Sequence, residues 1–384
     1  MNMRKVVIGL AIALAVLSIF FLYQRFTSND LELRLQSSRP VGVRLALLDQ
    51  DSAGNQSLEL LAQMILYPDR DRVLFYFVNT DAYYEDEDDP IRTMSPGSAD
   101  NFAGYTDVSS DYYIHMTRTE AIRMLNLMEG LAIFVDEPMV FDHQQFIYPN
   151  GLRFMPGEQI LEFVLARKTS QPDRAYLNGT ERLGRMESMV LNLFWRRTKL
   201  AGHLSHDAMA EFAADGANFD SNMTAVERRS LFAFITDHEK MHASVLEAPL
   251  REDRETGQPR LIVKDDRSRV IYTEYEENLQ LETLTPDDFP VDVLNGTDIS
   301  GQARRLKGFL QDRGLLVLDA DNYRFKPLAH SVIIERSGDT WRAQRLMELT
   351  GLERKRVVFR RMGLDVDATF VIGNDFDLKK LSNR

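Results

Sequence analysis

The feature that most constrains this chain is an uncharged apolar segment close to its N-terminus. Val6 to Tyr23 is 18 residues long and contains no charged side chain. As a helix rising 1.5 Å per residue it would extend about 27 Å, close to the thickness of a bilayer hydrocarbon core. The segment therefore predicts one membrane-spanning helix, and no later segment is apolar enough to form another. Residues after about position 30 are then expected to fold on one side of the membrane.

Two features favour an uncleaved anchor over a cleaved signal peptide. A signal peptide has an apolar stretch of about 7–15 residues and small residues at its cleavage site. Here the stretch is longer and ends in the bulky residues Phe20, Phe21, Leu22 and Tyr23. Arg4 and Lys5 precede it, and such charges stay on the cytoplasmic side. We expect a single-pass protein of the inner (cytoplasmic) membrane, with an extracytoplasmic, periplasmic body.

Charge and cysteine content exclude several classes of function. The chain carries a formal net charge of -12, and an acidic surface repels phosphate backbones, so no nucleic-acid partner is expected. It has no cysteine, which excludes disulfides, thiolate metal sites, a cysteine nucleophile and a lipoprotein cysteine.

The pattern of apolar runs predicts an α/β body of two domains. Residues 1–26 form the cytoplasmic tip and anchor, and residues 27–40 a polar stem. Apolar runs such as Val73 to Val78 are typical of buried strands, and Glu181 to Trp195 has the apolar stripe of a helix. Between residues 58 and 66, periodicity does not decide between helix and strand.

The two domains are expected to meet at a charged segment. The pattern predicts a core domain at 41–270, a linker at 271–288 and a C-terminal domain at 289–379. Strands alternate with helices in this last part, which predicts a small βαββαβ-like unit with helices covering a sheet.

Several stretches carry a resemblance to a known family. VDVLNGTDISGQARRLKGFLQDRG, SVIIE and ATFVIGNDF resemble the C-terminal domain of the LytR-CpsA-Psr family of bacterial envelope proteins, over about 289–377. DYYIHMTRTEAIRMLNLMEGLAIFVDEP, YPNGLRFMPGEQILEFVLARK and ERLGRMES are similar to parts of its core domain, over about 40–265. The resemblance implies an N-terminal anchor, an α/β/α core domain and a LytR C-terminal domain.

The resemblance also implies a chemistry. Enzymes of this family transfer glycopolymers from a polyprenyl-pyrophosphate carrier to peptidoglycan. Such a reaction needs guanidinium groups for the pyrophosphate, carboxylates for Mg²⁺ and an apolar slot for the lipid tail.

Part of the family's anion-binding set is present in this chain. Arg182 and Arg185 match two arginines of the family's helix, and their spacing of three residues predicts one helical face. Arg167 matches the second arginine of an "R.R" pair whose first position here holds Leu165. By the resemblance, Arg167, Arg182 and Arg185 would bind an anionic headgroup; the alternative is that they form surface salt bridges only.

The metal and catalytic positions are less complete. Asp51 and Asp81 stand where the family has metal-binding aspartates, so they are the expected ligands of a Mg²⁺ ion. The family's second early aspartate falls near Leu58 or Glu59 and is lost or shifted. Thr80 stands where the family's "PRD" motif has its arginine. Ala53 stands where the family has an arginine next to its early aspartate. Losing a cation that stabilises transition-state charge costs about 10²-fold in rate, so no catalytic residue is assigned.

Three functional hypotheses follow. The first is an envelope protein without catalytic activity that binds a polyprenyl-phosphate-linked glycan, an anionic glycan or an envelope protein. The second is an active glycopolymer phosphotransferase that has recruited other cations, with Arg118 and Arg174 as candidates. The third is a zinc peptidase, because His238, Glu239 and His242 form an H-E-x-x-H motif; it requires both histidines on one helix.

Overall fold

The computed structural model describes residues 30–50, 53–135, 139–140, 147–148, 151–167, 178–200, 210–213, 215–238, 240–254, 259–281, 289–361 and 365–377. Within these ranges, no helix combines the length and apolar character needed to cross a membrane. The apolar segment at 6–23 lies outside the described residues, so the anchor stays a prediction from sequence.

Seventeen strands of the described chain are distributed between two main sheets and three short pairs. They are β1 Val41–Gln50, β2 Gln56–Tyr67, β3 Arg72–Val78, β4 Tyr112–Thr117, β5 Leu131–Val135, β6 Met139–Val140, β7 Ile147–Tyr148, β8 Gly151–Met155, β9 Asp220–Ser221, β10 His242–Glu247, β11 Leu250–Asp253, β12 Arg260–Val263, β13 Pro290–Asn295, β14 Leu316–Asn322, β15 Val332–Glu335, β16 Val357–Phe359 and β17 Ala368–Ile372.

Nine helices with defined bounds accompany them in the described part of the chain. They are α1 Asp30–Leu35, α2 Phe102–Thr106, α3 Arg118–Leu127, α4 Gly157–Leu165, α5 Asn178–Leu200, α6 Ala225–Asp237, α7 Asp265–Leu281, α8 Gln302–Gln311 and α9 Thr340–Thr350. Two of them begin with a reciprocal capping box, Thr117 with Glu120 at α3 and Thr224 with Glu227 at α6.

The core domain is built on a six-stranded mixed sheet in the order β10-β3-β2-β1-β4-β9. Helices α1, α3, α4, α5 and α6 contribute to the apolar cluster on one face of this sheet. Helices α2 and α7 contribute Phe102, Tyr105 and Tyr272 to the cluster on the other face. The predicted α/β class is therefore confirmed, with helices on both faces of the sheet.

Two segments of the core domain differ from the sequence interpretation. The undecided stretch at 58–66 is strand β2, whose residues are buried on both faces, so it shows no alternation that would identify a strand. The predicted linker from residue 271 is helical as far as Leu281, because Tyr272 is buried against the sheet. Residues 282–288 lie outside the described part.

The C-terminal sheet has five strands in the order β14-β13-β17-β15-β16, and its elements follow one another as β-α-β-β-α-β-β. Only β15 and β17 run antiparallel within it. One apolar cluster contains residues of both domains, including Trp195 of α5 and Phe359 of β16, whose ring centroids are 5.5 Å apart. The C-terminal domain is therefore packed onto the core domain.

Candidate functional site

The candidate site forms where four elements of the core domain end or begin. Strands β2 and β3 are antiparallel, and their register places Glu59 of β2 beside the residues that follow β3. Thr80 and Asp81 are the second and third residues after β3, Arg167 is the second residue after α4, and Arg182 lies in the first turns of α5. Residues that are far apart in sequence are thus brought to one edge of the sheet.

Gly179 permits the start of α5 to approach the end of β3. A Cβ atom at this position would lie 2.7 Å from the Cβ of Asp81 and 2.9 Å from Oδ1 of Asn79. Any larger residue would move α5 away, so this glycine is required by close packing. The approach brings the Arg182 side chain into the space between Glu59 and Asp81.

The guanidinium of Arg182 is buried, and all three of its nitrogens donate hydrogen bonds within the protein. Nε donates to Oδ2 of Asp81 at 2.9 Å, and Nη2 donates to Oγ1 of Thr80 at 2.6 Å. Nη1 donates to the carbonyl oxygen of Glu59 at 2.7 Å and to its Oε2 at 3.1 Å. Thr80 stands at the position where the family pattern has an arginine. Here it accepts a hydrogen bond from Arg182 instead.

Arg167 joins the same two carboxylates from a more exposed position. Its Nη2 donates to both carboxylate oxygens of Glu59, at 3.0 and 2.8 Å, and its Nε donates to Oδ1 of Asp81 at 3.3 Å. Two guanidinium groups are thus matched by two carboxylates. A third cation approaches from the loop after β3, since Nε of Arg92 lies 3.9 Å from Oδ1 of Asp81.

The charges of these groups set their protonation states. Burial by itself would raise the pKa of Asp81, but the positive charges of Arg182 and Arg167 outweigh it and hold that pKa below its ordinary value. The carboxylates Asp81 and Glu59 raise the pKa of Arg167 in turn, against the opposing effect of burial. Asp81 therefore remains a carboxylate held between arginines.

Arg185 differs from its two neighbours because no carboxylate bonds to it among the described residues. It is only 2% exposed and donates from Nη2 to the carbonyl oxygen of Ala166, while its Cζ lies 5.8 Å from the ring centre of Phe163. Its Nε has no hydrogen-bond partner in the described part of the chain. Burial, followed by the charge of Arg360, lowers the pKa of Arg185 to about 9, against the opposing charge of Glu181.

The sequence and the structure agree on part of this site. Arg167, Arg182 and Asp81 come together, and Arg185 lies beside Arg167 through Ala166. Thr80 and Leu165 are both buried in the protein. Asp51 and Arg174 lie outside the described residues, and Arg118 pairs with Asp49 at 3.0 Å.

Sequence reasoning missed two members of the site. The sequence placed a lost or shifted family aspartate near Leu58 or Glu59 but gave Glu59 no role, and its side chain binds both arginines. A sequence feature could have identified Glu59, because it is a charged residue inside an otherwise apolar run. A charge that is buried in such a run needs a partner of opposite sign. Arg92 had no comparable signal, since its position near Asp81 depends on how the loop after β3 folds back.

The predicted Mg²⁺ ligands can be compared with this geometry only in part. Both oxygens of Asp81 already accept hydrogen bonds from arginines. In the ranges that the structure describes, no three acidic or histidine side chains form a group that could hold a metal ion. The described part of the site therefore does not fit Mg²⁺. Because Asp51 is not among those residues, its role as a ligand stays a prediction.

The H-E-x-x-H motif does not lie on one helix. Helix α6 ends at Asp237, His238 is its C-cap, and His242 is the first residue of β10. Nδ1 of His238 lies 2.8 Å from the carbonyl oxygen of Phe234, and burial lowers the pKa of His242 to about 4. The zinc-peptidase hypothesis required both histidines on one helix, and this requirement was wrong.

Comparison with known proteins identifies the C-terminal domain. Residues 288–376 match the family model described as LytR cell envelope-related transcriptional attenuator, which confirms the resemblance in this part of the chain. No curated protein sequence matches the chain.

Solved structures resemble the fold at low sequence identity. The protein gbs0355 from Streptococcus agalactiae is 11% identical, with a TM-score of 0.53 over 66% of this chain and 91% of that chain. TagV from B. subtilis is 12% identical, with a TM-score of 0.48 over 64% and 99% of the two chains. A LytR-Csp2A-Psr enzyme from Actinomyces oris is 10% identical, with a TM-score of 0.48 over 61% and 89%. The first of these establishes a shared fold.

Proposed function

We propose that this chain, whose residues 288–376 match the LytR C-terminal domain, is a membrane-anchored protein of the cell envelope. Its body lies outside the cytoplasm and binds the anionic headgroup of a lipid-linked glycopolymer, without transferring the glycan. The membrane and this ligand are its proposed partners. The anchor rests on the uncharged segment at 6–23 and the basic residues before it.

The observation that carries the binding function is the buried cation Arg185. A buried charge without a partner of opposite sign is expensive, so proteins pair such groups or use them to bind ligands. Among the described residues, Arg185 has only the carbonyl oxygen of Ala166 as a hydrogen-bond acceptor, and its Nε is unpartnered. Glu181 is near enough to oppose the lowering of the Arg185 pKa but does not bond to it, and a phosphate oxygen would supply the missing acceptor.

The absence of transfer follows from the bonds of Arg182. A transferase needs cations that are free to stabilise charge as it develops in the transition state. All three nitrogens of Arg182 already donate to Glu59, Asp81 and Thr80. Thr80 and Leu165 occupy the positions where the family pattern has two further arginines, and both are buried.

Binding is tested on the full-length chain in detergent micelles, with undecaprenyl pyrophosphate as the probe. We expect Arg185→Met to weaken binding by at least about tenfold, since charge-assisted hydrogen bonds contribute roughly 1.5–3 kcal/mol each. The matched control is Arg196→Met, which removes another arginine of α5 that donates to the carbonyl oxygen of Gly130. Equal affinity of wild type and Arg185→Met, or no binding by the wild type, would overturn the proposal.

Transfer is tested separately, with a radiolabelled polyprenyl-pyrophosphate glycan as donor and peptidoglycan as acceptor. We expect no product above the level without protein. Product that depends on the wild-type chain and is lost in Arg182→Ala would contradict the non-catalytic part of the proposal.

An active phosphotransferase is the second candidate, and the observation that favours it is Arg92. Its Nε lies 3.9 Å from Oδ1 of Asp81, so a cation that the sequence did not reveal approaches the site. This side chain is 42% exposed and could contact a bound pyrophosphate. In that case Arg92→Met would abolish transfer in the same assay, whereas Arg229→Met, on an exposed arginine of α6 paired with Glu211, would leave it unchanged.

A further inference from the structure

Helix α5 and the edge strand β10 of the core domain each bring one carboxyl group to the surface where the C-terminal domain docks. Glu187 lies on α5 next to Ser188, whose Oγ accepts a hydrogen bond from the backbone N–H of Arg361 at 2.9 Å. Glu247 is the last residue of β10, and the backbone of this strand also bonds to the C-terminal domain. Both carboxyl groups therefore lie at the interface between the domains.

The guanidinium of Arg361 binds both carboxyl groups along one of its edges. Nε donates to Oε2 of Glu187 at 3.2 Å, and Nη2 donates to Oε1 of Glu247 at 2.9 Å. A single carboxylate can bind this edge with its two oxygens, because the two N–H groups are parallel. Here each carboxyl group supplies one oxygen, so the two groups are held side by side. Among the described residues, Arg361 is the only cation that bonds to either of them.

The charges at this place do not balance if both carboxyl groups are ionised. Glu187 is fully buried, whereas the side chain of Glu247 is 32% exposed. Two carboxylates that share one site repel each other, and a single proton relieves the repulsion. In agreement with this, burial and the charge of Glu247 raise the pKa of Glu187 well above its ordinary value, against the charge of Arg361.

An unpaired oxygen indicates where this proton is held. Oε1 of Glu187 is buried and accepts no hydrogen bond from any described residue. Buried polar atoms nearly always have a partner, so this oxygen needs an explanation. A protonated carboxyl group is a donor as well as an acceptor. One proton therefore converts the contact between Glu187 and Glu247 into an O–H···O hydrogen bond and removes one of two negative charges.

We propose that Glu187 and Glu247 hold one proton between them, and that this shared proton couples the docking of the C-terminal domain to pH. With the proton in place, the single negative charge of the pair is matched by Arg361. The partly exposed side chain of Glu247 connects the proton to solvent. Loss of the proton as pH rises leaves two negative charges against one cation, which weakens the contact between the domains.

Other charged groups surround Arg361 and the pair, and they come from elements of both domains. They are Glu335, Arg336, Asp339, Arg360, Asp367, Arg72 and His242. Burial lowers the pKa of His242 to about 4, so this residue is neutral in the range where the pair titrates. Glu335 is also a buried acid, and burial raises its pKa to about 7. The effects of Glu335 and of the pair therefore have to be separated by substitution.

The shared proton is tested by infrared difference spectroscopy of the full-length chain in detergent micelles near neutral pH. A protonated carboxyl group has a C=O stretching band that a carboxylate lacks and that shifts in D2O. We expect Glu187→Gln and Glu247→Gln each to remove the same band, since either variant leaves one carboxylate facing one cation. The band of Glu335 is common to these spectra and cancels in the differences.

The matched control for Glu247→Gln is Glu85→Gln. It also removes a carboxylate that is bonded to one arginine, because Glu85 lies 2.7 Å from Nη2 of Arg251. Both partners of that pair are exposed, so Glu85→Gln should leave the carboxyl band unchanged.

A second measurement follows docking through the fluorescence of Trp195. The chain has two tryptophans, and Trp195 is 3% exposed at the interface, where its ring centroid lies 5.5 Å from that of Phe359. In Trp341→Phe it is the remaining tryptophan. We expect its emission to move to longer wavelength as pH rises from about 6 to about 9, because separation of the domains exposes the indole. Adding Glu187→Gln should abolish this shift, whereas adding Glu335→Gln should leave it in place.

The proposal is supported if both single variants lose the band and Glu187→Gln makes the emission of Trp195 independent of pH. A band that survives in Glu247→Gln would overturn it, because burial alone would then keep Glu187 neutral. A wild-type chain without the band would do the same. Docking would be independent of the pair if the emission of Trp195 were constant with pH in Trp341→Phe, or shifted equally with and without Glu187→Gln.

Discussion

Arg361 of the C-terminal domain donates from Nε to Oε2 of Glu187 on α5, at 3.2 Å. Glu187 is fully buried, and its other carboxylate oxygen has no hydrogen-bond partner among the described residues. Nη2 of Arg361 donates to Glu247 at 2.9 Å, and its Nη1 donates to the carbonyl oxygens of Arg336 and Ser337. One guanidinium therefore connects two elements of the core domain to the C-terminal domain.

Removing this cation should destabilise the chain strongly. Burial and the charge of Glu247 already raise the pKa of Glu187. Without Arg361, the Arg361→Met variant must either protonate this carboxyl or bury its charge without a counter-ion, which we expect to cost about 3–5 kcal/mol of unfolding free energy. The measurement is urea unfolding of the full-length chain. The double variant Glu187→Gln with Arg361→Met should recover part of the loss, because it removes the orphaned charge. A loss below about 1 kcal/mol in the single variant would contradict this role for the ion pair.

Stability should also depend on pH through Glu335. Burial raises the pKa of this fully buried carboxyl to about 7, against the opposing hydrogen bonds from Ser337 and Gly338. The folded state therefore holds its proton more tightly than the unfolded state, whose pKa is about 4.3. The stabilisation from this group is full below the unfolded pKa and is lost as pH rises through about 7.

The comparison that isolates this effect is wild type against Glu335→Gln. The difference in unfolding free energy between the two should change by roughly 3 kcal/mol between pH 4 and pH 8, because each pKa unit corresponds to about 1.4 kcal/mol. The wild type loses stability relative to the variant as pH rises. A difference that stays constant with pH would show that Glu335 has an ordinary pKa in the folded protein.

Restoring the family's missing arginine should damage the protein and leave transfer absent. Thr80 is buried, and its Oγ1 accepts from Nη2 of Arg182 at 2.6 Å. In Thr80→Arg, a second guanidinium would be forced against Arg182, at a cost of roughly 2–4 kcal/mol. Thr80→Ser keeps the hydroxyl and should change stability by less than about 1 kcal/mol. Glycan transfer by a stably folded Thr80→Arg variant would contradict this prediction.

Two helical glycines should respond to alanine with opposite signs. A Cβ atom added at Gly308 of α8 would meet no other atom within 4 Å, so Gly308→Ala should stabilise the chain by about 0.5–1 kcal/mol through helix propensity. A Cβ atom at Gly184 of α5 would lie 2.9 Å from the carbonyl oxygen of Arg361, so Gly184→Ala should separate the domains and destabilise the chain. Thermal unfolding of both variants measures the contrast. Stabilisation by both alanines would mean that the contact at Gly184 is not tight.

The local structure of this chain was predictable where one pattern dominated. The apolar stripe at 181–195 predicted α5, because only a helix satisfies its period, and the run at 73–78 predicted β3 through its shortness and its aromatic and β-branched residues. Strand β2 was not predictable, because it is buried on both faces and therefore lacks alternation. The close contact at Gly184 had an indication in the sequence, since a glycine inside a helical pattern often has a packing reason.

The sequence by itself determined those elements that carry a clear pattern, the net charge, the absence of cysteine and which arginines were available to bind an anion. Only the tertiary structure decided how those arginines are used. Glu59 and Arg182 are separated by 123 positions, and their ion pair exists because β2 and α5 meet at one edge of a sheet. The same packing leaves Arg185 without a hydrogen-bonded carboxylate in the described chain, since the partner of a buried charge depends on distances in space and not along the chain.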